Sequence, residues 1–278
     1  MIASVTMYDD PLDTVSCPRD TSESIPRRCH ARSRTGFAHR RTPEPERRAG
    51  TRIAASSSDQ PASSLMLKLY GFSRVNKVAR GNTRDLRVLW ALEEMGMPFE
   101  LVGIDHPAHE LETEAYRAMN PFAQIPVIDD DGVVVSESAA ILIYLARKAG
   151  QLIPKDPAGE AQVVRWCFAA MNTVEVPLLA LQVMNWVKSD EAKPQKAQMR
   201  EWAKRHLAAL ERWLSSREFV AVDAFTIADI LMTHVVGVEA EAELLAPCAH
   251  VRAYLDRCRA RPAWHRALDA YCARVEAA

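Results

Sequence analysis

The chain has 278 residues, of which 48% are hydrophobic and 26% charged, ordinary values for a globular protein long enough to hold two domains of usual size. Its formal net charge of -1 supplies no global attraction for nucleic acid or an anionic membrane, and no apolar run approaches the roughly 18 residues of a membrane helix. Six cysteines (Cys17, Cys29, Cys167, Cys248, Cys258 and Cys272) form no CxxC pair and no dense framework, so the expectation is reduced thiols in a cytoplasmic protein without a metal site.

Residues 1–65 are rich in Arg, Ser, Pro and Thr, contain no Lys, and show almost no apolar periodicity. Such composition cannot offset the entropy of ordering, so disorder or a spurious extension upstream of Met66 is expected. A targeting peptide fits less well, because Asp9, Asp10, Asp13 and Asp20 sit where such peptides avoid acids. From Met66 the texture is globular. Residues 67–72 read as a strand, and 83–95 as a helix with Leu86, Leu89, Trp90 and Leu92 at helical spacing and Gly96 as its stop. A second strand covers 99–104, and a helix over 111–119 ends before Asn120-Pro121. Runs at 125–128 and 133–135, joined by Asp129-Asp130-Asp131-Gly132, read as a hairpin, and 136–149 as a helix. Beyond Asp156-Pro157 the patterns are helical only, at 158–188, 195–215, 227–245, 248–260 and 262–276. Thr226 and Asp229 are spaced to cap the helix at 227 reciprocally, with Phe225 stapling onto Ile230.

Three strings carry the chemistry. In NPFAQIPVI (120–128), Pro126 interrupts a strand-like run, which a cis bond after Ile125 would accommodate. The Ile125 backbone would then be open to pair with an extended peptide; an edge-strand proline with no ligand fits the string equally. In SESAAILIYL (136–145), Glu137 and Ser138 fall at a helix start, where amides and dipole attract a carboxylate and Glu137 can meet an ammonium group. Plain capping by Ser136 or Ser138 explains the same residues. In GNTRDLRVLWALEEMG (81–96), Asn82 and Thr83 fall at the first turn of a helix, where a hydroxyl and free amides favour a thiolate over a thiol. Lowering a thiol pKa of about 8.5 by two units takes roughly 2.7 kcal/mol. A simple N-cap is compatible with that reading.

Taken together, LYGF, RVLWALEEMGMPFE, NPFAQIPVI, SESAAILIYL and FTIADI, in this order, resemble the motifs of the cytosolic, bacterial-type glutathione S-transferase family. The resemblance spans Met66 to the C-terminus. It implies an α/β thioredoxin-like glutathione-binding domain (66–150) followed by an all-α helical-bundle domain (157–278). It also implies glutathione as co-substrate, a small hydrophobic electrophile as acceptor, a detoxifying role, and a homodimer that engages neither nucleic acid nor membrane. By this resemblance Ile125 and Pro126 hold the cysteinyl unit, Glu137 and Ser138 the γ-glutamyl unit, and Gln124 lies near the glycyl end. Thr83, beside Asn82, matches the activating serine of bacterial relatives. The stretch 73–81 is longer than the family's usual strand-to-helix loop, which leaves Ser73 and Asn76 as rival activators and Arg80 or Arg84 as helpers; Tyr70 is a separate candidate whose strand position can instead turn it into the core. Trp166, Phe168, Met171, Asn172 and Trp186 could line an acceptor pocket or simply be core, and His234 reads as structural. Conjugation is the leading activity. A thiol-disulfide or peroxide reductase lacks a cysteine at the first helix start, and a weakly catalytic glutathione-binding module remains the reading from another class.

Overall fold

The computed structural model describes residues 66–76, 79–186 and 192–277. The expectations for residues 1–65 lie outside the described residues. Strand β1 (Leu67–Val75) is the centre of the sheet, with Leu69, Phe72 and Val75 buried. It runs parallel to β2 (Phe99–Asp105) on one side and antiparallel to β3 (Val127–Asp130) on the other. Strand β3 pairs in turn with β4 (Val133–Ser136), giving the order β2-β1-β3-β4. The hairpin between them closes as its sequence demands: Asp131 and Gly132 take φ of 54° and 84°, and the Asp129 Oδ1 accepts the Gly132 amide at 2.8 Å.

Helix α1 (Asp85–Met95) ends at Gly96, whose φ of 61° lets its amide reach the Leu92 carbonyl. It is buried nearly all round, because the sheet covers one side and the helical half the other. Trp90, fully buried, has its ring 4.8 Å from that of Trp264 and 5.7 Å from that of Phe225. A short 3-10 turn at Glu110–Glu112 leads into α2 (Glu114–Met119), which Thr113 caps by accepting the Tyr116 amide. Helix α3 (Ser138–Ala149) completes the α/β half and ends at Gly150, with φ of 65°.

The second half is helical: α4 (Pro157–Phe168), α5 (Glu175–Trp186), α6 (Lys193–Leu214), α7 (Ile227–Glu239), α8 (Ala242–Leu245), α9 (Ala249–Arg259) and α10 (Pro262–Arg274). Helices α4 and α5 are one continuous rod joined by a π-helical segment, Ala169–Val174. That rod spans Pro157–Asn185 with mean hydropathy 1.4, which by length and composition alone would suffice to cross a membrane. The sequence reading found no such run because Arg165 and Glu175 interrupt it, and the fold packs the rod against α6 and α7. A second difference concerns strands. None was expected beyond residue 157, yet β5 (Glu276–Ala277) pairs in parallel with Arg74 and Val75 at the end of β1. Two residues carry no periodicity that a sequence could reveal.

The stretch 73–81 also differs from the lengthened loop expected of it. Residues 73–75 continue β1, held by β2 and β5, so the first three residues of that stretch belong to the sheet. At the start of α7 the reciprocal cap is formed, with the Thr226 amide donating to Asp229 Oδ2 at 2.8 Å. Asp229, fully buried, also accepts the Val220 amide at 2.9 Å and the Tyr254 hydroxyl at 3.1 Å. Replacing it by alanine would orphan these donors. Asp229→Ala is therefore expected to lose about 2–4 kcal/mol of stability, read by urea denaturation.

Candidate functional site

A cavity of about 400 Å³ opens between the two halves, within the range of small-molecule sites. Its walls come from four pieces of chain: Arg84 before α1, residues 120–126 before β3, Glu137 to Ile143 at the start of α3, and Cys167 to Glu175 across the π segment. Gln124, Ile125, Pro126, Glu137 and Ser138 all line it, as do Phe168, Met171 and Asn172.

The loop before β3 is held from within. Asn120 is buried, its Nδ2 donating to the Gln124 carbonyl at 2.8 Å and its Oδ1 accepting the Phe122 amide at 3.1 Å. The Tyr116 hydroxyl donates to the same carbonyl at 3.0 Å. The Ile125–Pro126 bond is cis, and pairing with β1 begins only at Val127. Ile125 therefore stands outside the ladder at the cavity wall. Glu137 adopts φ 70°, a region costly for a residue with a Cβ, and starts α3 with its side chain exposed.

Behind these walls lies a buried ionic cluster. Arg87 of α1 is fully buried, and its Nη2 donates to Glu175 Oε1 at 2.7 Å. Its Nη1 donates to Ser138 Oγ at 3.2 Å and its Nε to His234 Nδ1 at 3.0 Å. Because Ser138 Oγ accepts from Arg87, the serine proton is left to donate into the cavity. Burial would raise the Glu175 carboxyl, but Arg87 and Arg84 outweigh it and hold the group below the usual carboxylate range. Burial first, then Arg87 and Arg84, push His234 well below its usual value, so it is a neutral acceptor. That fits the structural part expected of it.

The start of α1 is organised differently from the sequence expectation. Thr83 is 2% exposed, and its hydroxyl donates to Asp85 Oδ1 at 2.5 Å while the Tyr271 hydroxyl of α10 lies 2.6 Å away. Asp85 Oδ2 accepts the Phe72 amide at 3.1 Å, and it comes so close that a Cβ on Gly71 would stand 2.8 Å from it. Arg274 Nη2 stands 3.9 Å from the same oxygen, and Nη1 donates to the Phe72 carbonyl at 2.5 Å. Burial raises the Asp85 carboxyl above its usual value despite these partners. The Thr83 hydroxyl thus serves the interior, and neither it nor Asn82 is among the residues lining the cavity. Tyr70, Ser73, Asn76 and Arg80 do not line it either. Tyr70 packs edge-on against Tyr116, and Ser73 lies in β1. Of the residues around the first helix start, the cavity receives Arg84, whose Nη2 lies 3.2 Å from Glu175 Oε1.

Trp166, which the sequence left as either lining or core, does not line the cavity and has its ring 5.2 Å from that of Trp213 in a tilted arrangement, and the Trp186 side chain lies outside the described residues. What the sequence reading missed is the Arg87–Glu175 pair. The two residues are separated by 88 positions, and neither interrupts its helical pattern in a way that marks it as buried. Among the described residues no group of three or more His, Cys, Asp or Glu is placed to hold a metal ion.

Residues 86–148 match the family model for the glutathione S-transferase N-terminal domain, and residues 170–262 that for the C-terminal domain. Glutathione S-transferase F10 of Arabidopsis thaliana is 30% identical over 192 residues, covering 64% of this chain and 88% of the relative. A glutathione transferase of Burkholderia graminis, solved with two glutathione molecules bound per subunit, superposes with a TM-score of 0.65 at 31% identity. That match covers 73% of this chain and 88% of the other. A glutathione transferase family member of Pseudomonas fluorescens, solved with two glutathione bound, gives a TM-score of 0.66 at 27% identity, covering 75% and 95%.

Removing Arg87 from the buried cluster leaves Glu175 largely desolvated with only the longer contact from Arg84 to offset its charge. Arg87→Ala is expected to cost about 3–5 kcal/mol at neutral pH, read by denaturant unfolding. The sign with pH follows from Glu175. Its folded value is depressed, so its contribution is present above the unfolded value of 4.5 and is lost as pH falls through the lower folded one. The gap between native protein and variant should therefore narrow below pH 4.5.

Proposed function

The chain belongs to the glutathione S-transferase family, and on that premise we propose that its cavity binds glutathione and presents the thiolate to a small electrophile. The observation that carries this reading is the convergence of Ile125, Glu137 and Ser138 on one cavity beside the helical half. An extended γ-glutamyl peptide could pair its cysteinyl backbone with Ile125 and place its α-carboxylate at the start of α3. There the amides, the helix dipole and the Ser138 hydroxyl all favour a negative charge. Glu137, exposed at the rim, meets the α-ammonium group, and Gln124 faces the glycyl end. Cys167 is held by burial up to about 12, far from thiolate chemistry at neutral pH, and no covalent enzyme intermediate is assigned to it. The mechanism is proximity plus electrostatic stabilisation: a carbon–sulfur bond forms as the leaving group departs with its electron pair.

The acceptor side of the cavity offers Phe168, Met171, Ile143, Ala139 and Ala140 with the Asn172 amide among them. A compact, mainly apolar acceptor suits that wall. A second reading is reduction of a disulfide or peroxide by two glutathione molecules. It is favoured by the Burkholderia graminis relative solved with two glutathione molecules per subunit, and it needs no enzyme cysteine because the second thiol is itself glutathione. The four described cysteines are free thiols, which suits a reducing cytoplasm.

We further infer a homodimer. Phe122 (72% exposed), Val133 and Val134 in the first half and Val176 in the second are large apolar side chains left to solvent in the single chain. A two-fold interface would cover such residues. Phe122→Glu is expected to convert the dimer to monomer in sedimentation analysis, and a monomeric native protein would refute the inference.

The activity reading is checked by conjugation of glutathione to a chloronitroaromatic. Ser138→Ala should raise KM for glutathione by roughly tenfold, the worth of one charge-assisted hydrogen bond of about 1.5 kcal/mol, with a smaller effect on kcat. Binding of glutathione without conjugation or disulfide reduction would leave a binding module as the better description.

A further inference from the structure

The hydroxyl at the first helix start is turned inward, which leaves open what faces a bound thiol. Two guanidinium groups, Arg84 and Arg87, converge on one carboxylate oxygen, Glu175 Oε1, at 3.2 and 2.7 Å. The more tightly held and fully buried partner is Arg87. Arg84 is the outer one, with 25% of its side chain exposed, and it is the one Lys or Arg among the described residues lining the cavity. Its neighbours do not cancel it. Glu175 is already held by Arg87, His234 is neutral, and Asp85 is engaged by Phe72, Thr83 and Arg274. Glu137, the other carboxylate of the lining, lies at the start of α3 beside Ser138.

We propose that Arg84, rather than a hydroxyl of Thr83, is the catalytic residue that stabilises the glutathione thiolate in this cavity. The inference rests on the reading that the cavity takes glutathione. With the γ-glutamyl unit at the start of α3 and the cysteinyl backbone at Ile125, the cysteinyl side chain turns toward the remaining wall. That wall carries Arg84, Glu175 and the π segment. A guanidinium there favours the anion over the thiol through charge and directed N–H groups, in a site partly screened from water. Arg84 takes no proton itself. The thiol proton passes to solvent, and the sulfur keeps its electron pair for attack on the acceptor. Glu175 then has a second task as a positioning residue, anchoring Arg84 so that its free N–H groups face the cavity.

The test is a pH titration of enzyme-bound glutathione, following the ultraviolet absorbance of the thiolate, in native protein, Arg84→Gln and Arg84→Lys. In native protein the bound thiol should titrate well below the free value of about 8.5. Arg84→Gln should move it up by about one unit or more, a tenfold loss of thiolate on the acid side, and Arg84→Lys should restore most of the shift. S-methylglutathione, which has no thiol proton, should bind Arg84→Gln within about twofold of native in calorimetry, since no carboxylate of the ligand is assigned to Arg84. That measurement also establishes that the variant is folded. An unchanged thiol titration in an Arg84→Gln protein that still binds S-methylglutathione would overturn the proposal. So would a tenfold loss of S-methylglutathione affinity with no titration shift, which would assign Arg84 to a ligand carboxylate. Failure of native protein to bind S-methylglutathione would instead remove the glutathione reading, and this one with it.

Discussion

The buried ion pair between Arg87 and Glu175 is the interaction on which the rest of the arrangement depends. Two opposite charges taken out of water are costly unless each is met by further hydrogen bonds. Arg87 meets that condition by reaching several other elements, among them Glu175 at the start of α5, Ser138 at the start of α3, His234 in α7 and Met171 in the π segment. The demand for satisfied partners fixes where these helices stand relative to α1. It also fixes which proton Ser138 can offer and which guanidinium, that of Arg84, is left at the cavity wall. Structure and chemistry are therefore set by one cluster rather than by separate devices.

A second buried acid governs the other side of the same helix start. Asp85 gathers the Phe72 amide, the Thr83 hydroxyl and the Arg274 guanidinium, and through Thr83 it reaches Tyr271. The last helix, α10, is thereby joined to β1 and α1, and β5 extends the join into the sheet. This explains why the threonine at a position suited to thiol activation faces inward. A carboxylate buried two residues further on, with its pKa raised by desolvation, needs a short donor close at hand. Thr83 supplies it.

Ring packing and a backbone hydrogen bond join the two halves. Trp90 of α1 packs between Trp264 of α10 and Phe225 before α7, and the Ile227 amide donates to the Leu152 carbonyl at 3.1 Å. The Phe225 ring thus lies against a residue of the first half. A cavity bounded by elements held together in this way is largely formed before ligand arrives, which limits the ordering cost of binding. The π segment adds an irregularity at the one place where the long rod faces the cavity, where Met171 and Asn172 line it.

The sequence by itself determined the element order of the α/β half, the Gly96 and Gly132 turns, the capping of α7 and the residues of the loop before β3. Each of these is a local matter: backbone freedom at glycine, the missing amide of proline, or a side chain reaching its own chain three residues away. The resemblance of their strings to a family pattern brought Ile125, Glu137 and Ser138 forward as ligand-binding candidates, while their local signals alone fitted plain capping and an edge-strand proline as well; all three line the cavity. Only the tertiary structure decided which way the side chains of Thr83 and Arg84 face. That choice rests on the burial of Asp85, to which Thr83 donates, and on partners 188 and 91 residues away, Tyr271 and Glu175, whose approach no periodicity encodes. Burial of charge is a property of the assembled fold. A buried arginine and a surface arginine look the same in a string of residues, and they differ only once water has been excluded from one of them.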